Sequence, residues 1–467
     1  MFTAINHDHI QFFIHTLGED AVKTNELDRV DYGHDHTEDL SFPPEVVLLP
    51  CSTKEVSLVL AYCYKHEICV TPIGARTGLS GGALSVYGGV GLCLERMNKI
   101  LKIDEDNQQV MTQPGVITQV LQEAVAEKGL FYAPDPASRG TCFIGGNLAE
   151  NSGGPRAVKY GVTKDFVLNL EVVLPGGEII HTGANTLKNS TGYNLTQLMV
   201  GSEGTLGVIT AATLKLLPLP KKNMLMLVSF KSAEDACEAV STIFKAGLTP
   251  SALEFMERDA VLLAQEFTGE VPFPLADDCA AQLLIEMDGN DEERIMTDCE
   301  AVMFALENFD TDEIYFAESE AQKEKLWFLR RRVGEAVKAH SVYKEEDTVV
   351  PRFELPRLLR GVKRIGGEYG FSSICYGHAG DGNLHVNILK GDLSEAQWKD
   401  DLPEAISKIF ELCVALGGTL SGEHGIGLVQ KEYMPIAFNQ VQLNLMKAIK
   451  KTFDSKGILN PGKLFPE

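Results

Sequence analysis

Residues 134–154 read PDPASRGTCFIGGNLAENSGG, a segment that contains two double glycines around a short polar run. Two further glycine loops flank it in the sequence: PIGARTGLSGG at 72–82, after an apolar strand predicted at 68–73, and GSEGTLGVI at 201–209. Glycines let successive backbone N–H groups converge on an anion, and Thr77 and Ser80 add hydroxyl donors. The first loop matches neither the Rossmann nor the P-loop motif, so by itself it indicates either an anion site of related chemistry or only a turn.

Composition restricts the function further. The chain has 467 residues, with 65 acidic against 42 basic side chains and a net charge of −23. We expect no nucleic-acid partner, because phosphate contacts require an excess of Lys and Arg. The sequence has no apolar run of about 18 residues and no secretory signal at its start, so no integral membrane segment is expected. Ten scattered cysteines without a CxxC pair are typical of reduced thiols. The expected location is the cytoplasm, or the membrane periphery through a partner.

Local patterns predict alternating helices and strands. A capping box at 52–55 predicts the start of a helix. An apolar stripe predicts another helix at 117–128, which should bury Ile117, Val120, Leu121, Ala124 and Val125. Residues 169–182, with Pro-Gly-Gly at the centre, predict a β-hairpin. The prolines of LLPLPKK at 216–222 favour a domain boundary there. Residues 281–320 contain 13 acidic side chains against Arg294 alone, a solvated surface or a docking face for a basic electron-transfer partner.

A second glycine-rich zone contains titratable residues. HAGDGNLH at 378–385 places two histidines seven positions apart, and SGEHGIG at 421–427 adds Glu423 and His424. On one continuous strand an odd spacing points side chains to opposite faces, but residues 379–382 should break the strand and let both rings turn to one site. Two histidines and a carboxylate are a familiar set of metal ligands. The alternative is that these are hydrogen-bonded polar residues in glycine turns.

The three glycine loops, in this order and spacing, closely resemble the FAD domain of the vanillyl-alcohol oxidase/p-cresol methylhydroxylase family. The resemblance implies an α+β fold, in which a two-subdomain FAD-binding domain (1–220) precedes an α+β substrate or cap domain with an antiparallel sheet (221–420). A C-terminal segment (421–467) should return to the FAD domain. In that family the first loop wraps the pyrophosphate, the second follows the ribityl chain and isoalloxazine ring, and residues 204–209 contact the adenine side.

Carried over residue by residue, the resemblance implies a set of FAD-binding positions. They are Pro72, Gly74, Arg76, Thr77, Gly78, Ser80, Gly81 and Gly82 in the first loop, Pro134, Asp135, Gly145, Gly146, Asn147, Asn151 and Gly154 in the second, Glu203, Gly204 and Ile209 in the third, and Asn460 near the C-terminus. Many relatives attach the flavin covalently to a histidine that follows the first loop. That position is Ala83 here, so we expect dissociable, non-covalent FAD.

GHAGDGNLH, SGEHGIG and the C-terminal KGILNPGK resemble the D-2-hydroxy-acid dehydrogenase branch, which includes D-lactate dehydrogenase, the glycolate oxidase flavin subunit and D-2-hydroxyglutarate dehydrogenase. The resemblance implies a divalent metal, with zinc expected and manganese or iron as alternatives. The implied site residues are His378, His385 and Glu423 as metal ligands, His424 as catalytic base, and Asn383, Arg330 and Lys344 as substrate-binding residues.

These residue types suit oxidation of a D-2-hydroxy acid to the 2-oxo acid. Arg330 would hold the carboxylate, the metal would acidify the hydroxyl, His424 would take its proton, and FAD would accept hydride from C2. D-lactate-like acids, D-2-hydroxyglutarate and glycolate remain candidate substrates, and Gly334, one turn from Arg330, weakly favours a smaller acid. The electron acceptor is expected to be a quinone, an electron-transfer flavoprotein, a cytochrome or a partner subunit, and a homodimer is left open.

Two other functions are compatible with the fold. A non-redox FAD enzyme of the alkylglycerone-phosphate synthase type depends on a run of adjacent histidines, which this chain lacks. An inactive flavin subunit of a larger dehydrogenase should have lost the metal ligands, and here His378, His385, Glu423 and His424 are all retained. Direct reaction with oxygen stays open, because it depends on local access to the flavin.

Overall fold

The computed structural model describes residues 2–37 and 40–466, and the chain divides into two compact units. The first unit consists of Met1–Gly153, Gly161–Leu219 and Glu423–Glu467, and the second of Gly154–Tyr160 and Pro220–Gly422. The chain therefore passes from the second unit back to the first at the peptide bond between Gly422 and Glu423. The α+β fold class predicted from the sequence is confirmed, with an antiparallel sheet in the second unit.

The described residues of the first unit form three sheets. Its strands are β1 (Val22–Lys23), β2 (Val46–Leu48), β3 (Val70–Ile73), β4 (Val90–Cys93), β5 (Ile100–Asp104), β6 (Gln109–Thr112), β7 (Leu130–Phe131), β8 (Val167–Val173), β9 (Ile179–His181), β10 (Val208–Lys215) and β11 (Leu217–Pro218). The four-stranded sheet has the order β1-β2-β4-β3, the five-stranded antiparallel sheet has the order β5-β6-β10-β8-β9, and β11 pairs with β7. Leu459, near the C-terminus, forms a parallel bridge with Val70 beside the edge strand β3.

Helices cover these sheets. Those of the first unit are α1 (His7–Leu17), α2 (Glu26–Asp31), α3 (Thr53–His66), α4 (Thr118–Ala126), α5 (Ile144–Glu150), α7 (Leu195–Met199), α14 (Met434–Ala437) and α15 (Gln440–Phe453). Ser52 caps α3 by accepting the N–H of Glu55, but the Glu55 carboxylate turns to the N–H of Cys51, so only half of the predicted capping box forms. The apolar stripe of α3 packs in one core with α1 and the four-stranded sheet.

The second unit is built on one seven-stranded antiparallel sheet. Its strands are β12 (Lys222–Phe230), β13 (Ala252–Glu257), β14 (Ala281–Gly289), β15 (Tyr315–Phe316), β16 (Tyr343–Val349), β17 (Ser372–Gly377) and β18 (Asn383–Leu389), in the order β15-β12-β14-β13-β17-β18-β16. Its helices are α6 (Ala157–Tyr160), α8 (Ala233–Lys245), α9 (Arg258–Thr268), α10 (Glu292–Leu306), α11 (Glu320–His340), α12 (Leu355–Tyr369) and α13 (Leu402–Ala415). Helices α9 and α11 share a core with residues of β13, β14 and β17.

Local predictions fared unevenly. The hairpin predicted at 169–182 is confirmed as β8 and β9, and Gly177 adopts the positive φ of 95° that its turn requires. The predicted helix at 117–128 forms as α4, but the burial of Val120 was wrong, since its side chain is 49% exposed. The nine-residue α4 buries Leu121 and Val125, as predicted, and also Thr118.

Candidate active site

The first and second glycine loops approach each other backbone to backbone within the first unit. A Cβ placed on Gly74 would lie 3.6 Å from Cα of Gly146. Gly78 and Gly146 themselves face open space, because a Cβ on either would have no heavy atom within 4 Å outside its own helix and chain neighbours. Beside them, the Ser80 hydroxyl is buried and has no hydrogen-bond partner among the described residues. An open backbone cradle with an unused buried hydroxyl suits the phosphates and ring of a dinucleotide.

The remaining residues of the first loop support its shape. Arg76 adopts a left-handed φ of 61°, and its guanidinium bonds Asp31 and lies 4.4 Å from the centre of the Tyr32 ring. Gly81, also at positive φ, donates its N–H to Thr37. The carbonyl of Gly82 accepts from Asn460. Thr77 is half-buried in the same loop. Through these contacts with Asp31 and Tyr32, the Arg76 side chain stabilises the loop.

The second loop is held by its own polar side chains. The buried Asp135 pairs with Arg139 at 2.9 Å, and Pro134 accepts a hydrogen bond from Gln122 through its carbonyl. Asn147 donates to Thr118, a residue of α4. Further supporting contacts come from Gly145, whose Cβ would overlap Pro114, and from Asn151, which at a left-handed φ of 57° accepts the N–H of Lys164. Gly154, the last predicted position of this loop, belongs to the second unit.

The third loop joins the C-terminal segment. Gly204 packs so closely on Pro72 that a Cβ there would lie 3.2 Å from the proline ring, and the buried Ile209 continues into β10. Asn460 donates to the carbonyl of Glu203 as well as to that of Gly82. Asn460 therefore connects the first and third loops within one unit.

The side chain of Glu203 turns toward the SGEHGIG segment. Its carboxylate accepts the N–H groups of Ile426 and Gly427 at 2.7 and 2.6 Å. A second buried carboxyl, Glu150, lies beside it. Burial raises the pKa of both groups, that of Glu203 to about 7 and that of Glu150 well above its usual value, and the neighbouring Glu203 raises the latter further. Burial lowers the pKa of the nearby Lys463 to about 8.

The two histidines of HAGDGNLH come together in the second unit. His378 follows the end of β17 and His385 lies on β18, with a 3-10 turn at Ala379–Asp381 breaking the strand between them, as predicted. Both rings are buried and meet edge to face with centroids 5.4 Å apart. Nδ1 of His378 lies 2.9 Å from each carboxylate oxygen of Glu254, a side chain with no exposed surface. This contact occupies Nδ1 and leaves Nε2 of His378 as its ligand atom.

Arg330 lies in the same cluster. The buried guanidinium on α11 pairs with Glu254 at 2.6 Å and lies 5.1 Å from the centre of the Tyr376 ring. Its Nε is buried and has no hydrogen-bond partner among the described residues. Burial raises the pKa of Glu254, but the charges of His378 and Arg330 outweigh this effect and hold the pKa below its usual value. The structure thus brings Arg330 and His378 together through one carboxylate.

A second buried carboxylate, Asp347, organises the neighbouring turn. It accepts the side-chain amide of Asn383 at 2.7 Å and the hydroxyl of Ser421 at 2.7 Å. Its carbonyl also accepts the N–H of Gly422, where a Cβ would overlap the Asn383 amide. The residue before Glu423 is therefore held by β16.

The register of β16 against β18 separates the remaining predicted residues. Lys344 pairs with Ile388, whereas Asp347 pairs with His385, so alternation places Lys344 on the opposite face of the sheet from His385. The substrate-binding role of Lys344 stays a prediction. Glu345 and Asp347 lie beside His385, with carboxylate oxygens 3.5 and 3.6 Å from its Nδ1.

Glu423 and His424 begin the last segment of the first unit. Within that unit, Glu423 lies against the second glycine loop, since a Cβ on Gly153 would be 2.8 Å from its Oε2. The proposed metal ligand thus contacts the loop that is expected to follow the flavin.

Glu254 and Asp347 were missed by sequence reasoning. The signal for Glu254 was a lone acid inside the apolar strand ALEFM at 252–256, which marks a buried charge in need of a partner. Asp347 gave a weaker signal, because it ends a run of three acids that reads as a solvated surface.

Comparison with known proteins matches the fold and the motifs. Residues 219–464 match the model of the C-terminal domain of FAD linked oxidases, and residues 44–183 match an FAD binding domain. The chain is 40% identical over 425 residues to a D-lactate dehydrogenase from Anaerostipes hadrus, covering 90% of this chain and 89% of the relative. It is 38% identical to the glycolate oxidase subunit GlcD of Bacillus subtilis strain 168, covering 99% and 97% of the two chains. The structure of p-cresol methylhydroxylase with substrate bound aligns with a TM-score of 0.80 at 18% identity, covering 99% of this chain and 98% of that one.

The chain therefore belongs to the FAD-linked oxidases, with a p-cresol methylhydroxylase-type fold, and the predicted resemblance is confirmed. Among the described residues, every helix is too short or too polar to cross a lipid bilayer.

Proposed function

We propose that this protein oxidises a D-2-hydroxy acid to the 2-oxo acid. The observation that carries the proposal is the buried pair of imidazoles, His378 and His385, with Glu254 bonded to the first ring and Glu345 and Asp347 beside the second. Buried histidines whose Nδ1 faces carboxylates are typical of rings that present Nε2 to a metal or a reacting group. Similarity to a D-lactate dehydrogenase and a glycolate oxidase subunit supports a 2-hydroxy acid as substrate.

FAD fits the cradle of the first unit, where Gly78 and Gly146 leave open space and the Ser80 hydroxyl is unused. The flavin, when bound, supplies the hydride acceptor for C2 of the substrate. Ala83 offers no nucleophile for attachment, so we propose that the cofactor is dissociable. Acid precipitation of the purified protein should leave all yellow colour in the supernatant, and colour retained in the pellet would contradict non-covalent binding.

A divalent metal fits the donor set of two imidazoles and one carboxylate. His378 and His385 would bind it, and Glu423, which follows Gly422 directly in the chain, is proposed as the third ligand. A bound metal would hold the substrate through its hydroxyl and carboxylate oxygens and lower the pKa of the hydroxyl. Zinc is our first expectation, with manganese and iron as the alternatives for metal analysis.

The chain's own residues would then bind the acid and move its proton. His424 is proposed to take the hydroxyl proton, since an imidazole has a pKa near neutrality. Arg330 keeps its buried Nε without a partner while its Nη2 pairs with Glu254, so the Nε–H donor remains for the substrate carboxylate. Asn383, fixed by Asp347, is proposed as an additional polar contact.

The space beside Arg330 favours a short substrate. Gly334 lies one helical turn along α11, and a Cβ there would be 3.0 Å from the hydroxyl of Tyr376. Tyr376 therefore fills the place that a longer side chain at 334 would take. We propose a lactate-sized acid, with glycolate and D-2-hydroxyglutarate as the alternatives.

An anaerobic substrate panel tests the function. The FAD-loaded protein, reconstituted in turn with zinc, manganese and iron, is mixed with D-lactate, L-lactate, glycolate, D-malate and D-2-hydroxyglutarate while flavin absorbance is followed. D-lactate should bleach the flavin fastest, and L-lactate should have no effect. Failure of every acid with every metal would overturn the proposal. Repeating the assay with oxygen, a quinone and a cytochrome as acceptors distinguishes an oxidase from a dehydrogenase.

A further inference from the structure

We propose that Glu203 is a positioning residue whose carboxylate fixes the turn that carries Glu423 and His424. The role of that turn rests on the function proposed above, but the contact itself does not. Glu203 was expected to bind FAD, and the new assignment moves its carboxylate from the cofactor to the protein.

The contact is a two-point clamp. The two oxygens of Glu203 accept separate N–H groups, Ile426 at 2.7 Å and Gly427 at 2.6 Å. Hydrogen bonds from amides to a carboxylate are stronger than those between neutral groups. Because Ile426 and Gly427 follow His424 by two and three residues, holding their amides also fixes the backbone that carries the imidazole.

The backbone of Glu203 is itself adapted to this task. Its φ of 51° is left-handed, a conformation that costs a non-glycine residue free energy. The Asn460 amide bonds the Glu203 carbonyl and holds this conformation. The left-handed backbone of Glu203 directs its carboxylate to two amides, which indicates that this conformation is kept for that contact.

The turn at Gly425 and Gly427 is packed so closely that neither glycine has room for a side chain. A Cβ on Gly425 would lie 2.2 Å from Oε2 of Glu150 and 3.0 Å from Oε1 of Glu203, and a Cβ on Gly427 would lie 2.2 Å from the carbonyl of Ser80. Both glycines adopt positive φ. The backbone of the turn thus passes directly against the two acids and the first glycine loop, and the N–H of Leu428 bonds the Ser80 carbonyl.

Glu150 provides a control because its carboxyl lies against the same turn without binding the amides of Ile426 and Gly427. Both carboxyls are buried and both lie against Gly425, but Oε2 of Glu150 has no hydrogen-bond partner among the described residues, whereas Glu203 binds two turn amides. Replacing either by Gln removes the ionisable group at nearly constant volume. Only the change at Glu203 places a side-chain NH2 against a backbone donor.

The test is hydrogen exchange of the FAD-loaded protein, read at the amides of Ile426 and Gly427. Glu203→Gln should speed their exchange by about tenfold or more, while Glu150→Gln leaves it within about threefold of the unmodified protein. The Kd for FAD should change by less than about threefold in both variants. With an oxidisable hydroxy acid, E203Q should lower kcat about tenfold or more and leave KM nearly unchanged, since the base is misplaced while substrate contacts remain.

Unchanged hydrogen exchange at Ile426 and Gly427 in E203Q would overturn the proposal. A loss of FAD affinity without faster exchange at these amides would overturn it as well. The exchange measurement needs no substrate, so it remains decisive even if every hydroxy acid fails to reduce the flavin. Should E203Q fail to fold, Glu203→Asp replaces it. The shorter side chain keeps the charge but not the reach to both amides, so their exchange should again rise, and exchange equal to that of the unmodified protein would overturn the clamp.

Discussion

Both carboxylate oxygens of Glu254 lie 2.9 Å from Nδ1 of His378, inside a strand whose neighbouring residues are apolar. A carboxylate can only accept, so Nδ1 carries the proton and Nε2 carries the lone pair of the ring. Arg330 balances the remaining charge of Glu254 at 2.6 Å. One buried carboxylate therefore fixes both the tautomer of a proposed metal ligand and the position of a proposed substrate-binding guanidinium.

Glu254→Gln should weaken metal binding. The amide keeps the size of the side chain but removes the charge that raises the basicity of His378, and loss of such a partner typically costs 10- to 100-fold in metal affinity. Titration of the metal-free protein with zinc, followed by calorimetry, measures this change. Glu286→Gln is the control, because Glu286 is also buried in the same sheet but bonds Trp327 and Ser251. Equal zinc affinity in both variants would remove Glu254 from the proposed site.

Turns and strand breaks were predicted well from neighbouring residues. The Pro-Gly-Gly hairpin, the break between His378 and His385 and the α+β fold follow from local turn chemistry and from the order of the glycine loops. Glu254 could not be paired with His378 from sequence, because the two residues are 124 positions apart and meet only through the register of β13 against β17.

Register also explains the residues that sequence reasoning placed less well. Lys344 and Asp347 are three positions apart on β16, and period-two alternation sends them to opposite faces of the sheet. A run of charged residues without apolar neighbours gives no sign of which face is buried. The burial of Val120 was predicted wrongly for a different reason. Helical periodicity identified the apolar face of α4, but not how many residues of this nine-residue helix the face would bury.

Gly146→Ala should lower the affinity for FAD without disturbing the protein. A Cβ at 146 meets nothing within 4 Å, so the apoprotein should melt within about 2 °C of the unmodified one, while the proposed cofactor loses its space. We expect FAD affinity to fall about 10- to 100-fold, measured by fluorescence titration. Gly367→Ala is the control, since Gly367 is equally open but lies on α12 in the second unit. Undiminished FAD binding by Gly146→Ala would argue against the cradle.

Asp347→Ala should destabilise the Asn383 turn. The change removes one of the two acceptors of the Asn383 amide and the carboxylate that accepts the Ser421 hydroxyl, which costs about 1–3 kcal/mol of unfolding free energy. Ser421→Ala removes one donor and leaves Asp347 bonded to Asn383, so it should cost less than half as much. Urea unfolding compares the two variants. With an oxidisable acid, kcat/KM should fall about tenfold in D347A, and equal effects of both variants would show that Asp347 has no special role in the turn.

Stability should depend on pH through the buried acids beside the turn. The pKa of Glu203 is raised to about 7 and that of Glu150 lies well above its usual value, mainly because burial disfavours the charged forms. The folded state therefore binds these protons more tightly than the unfolded chain does. The contribution of Glu203 to stability is fully present below the unfolded pKa of about 4.5 and is lost as pH rises through about 7. The contribution of Glu150 changes in the same direction. Lys463, with its pKa lowered to about 8, acts above this window.

Glu150→Gln isolates one of the two acids. Because the amide does not titrate, the melting temperature of the FAD-saturated variant should fall less between pH 5 and pH 7 than that of the unmodified protein. The difference between the two curves should open as pH rises, with the variant the more stable protein at pH 7. Thermal scans at half-unit pH steps measure it. Parallel curves of melting temperature against pH would show that Glu150 is ionised in the folded protein throughout this range. Lys463 and the turn amides would then have to stabilise the charged forms of Glu150 and Glu203.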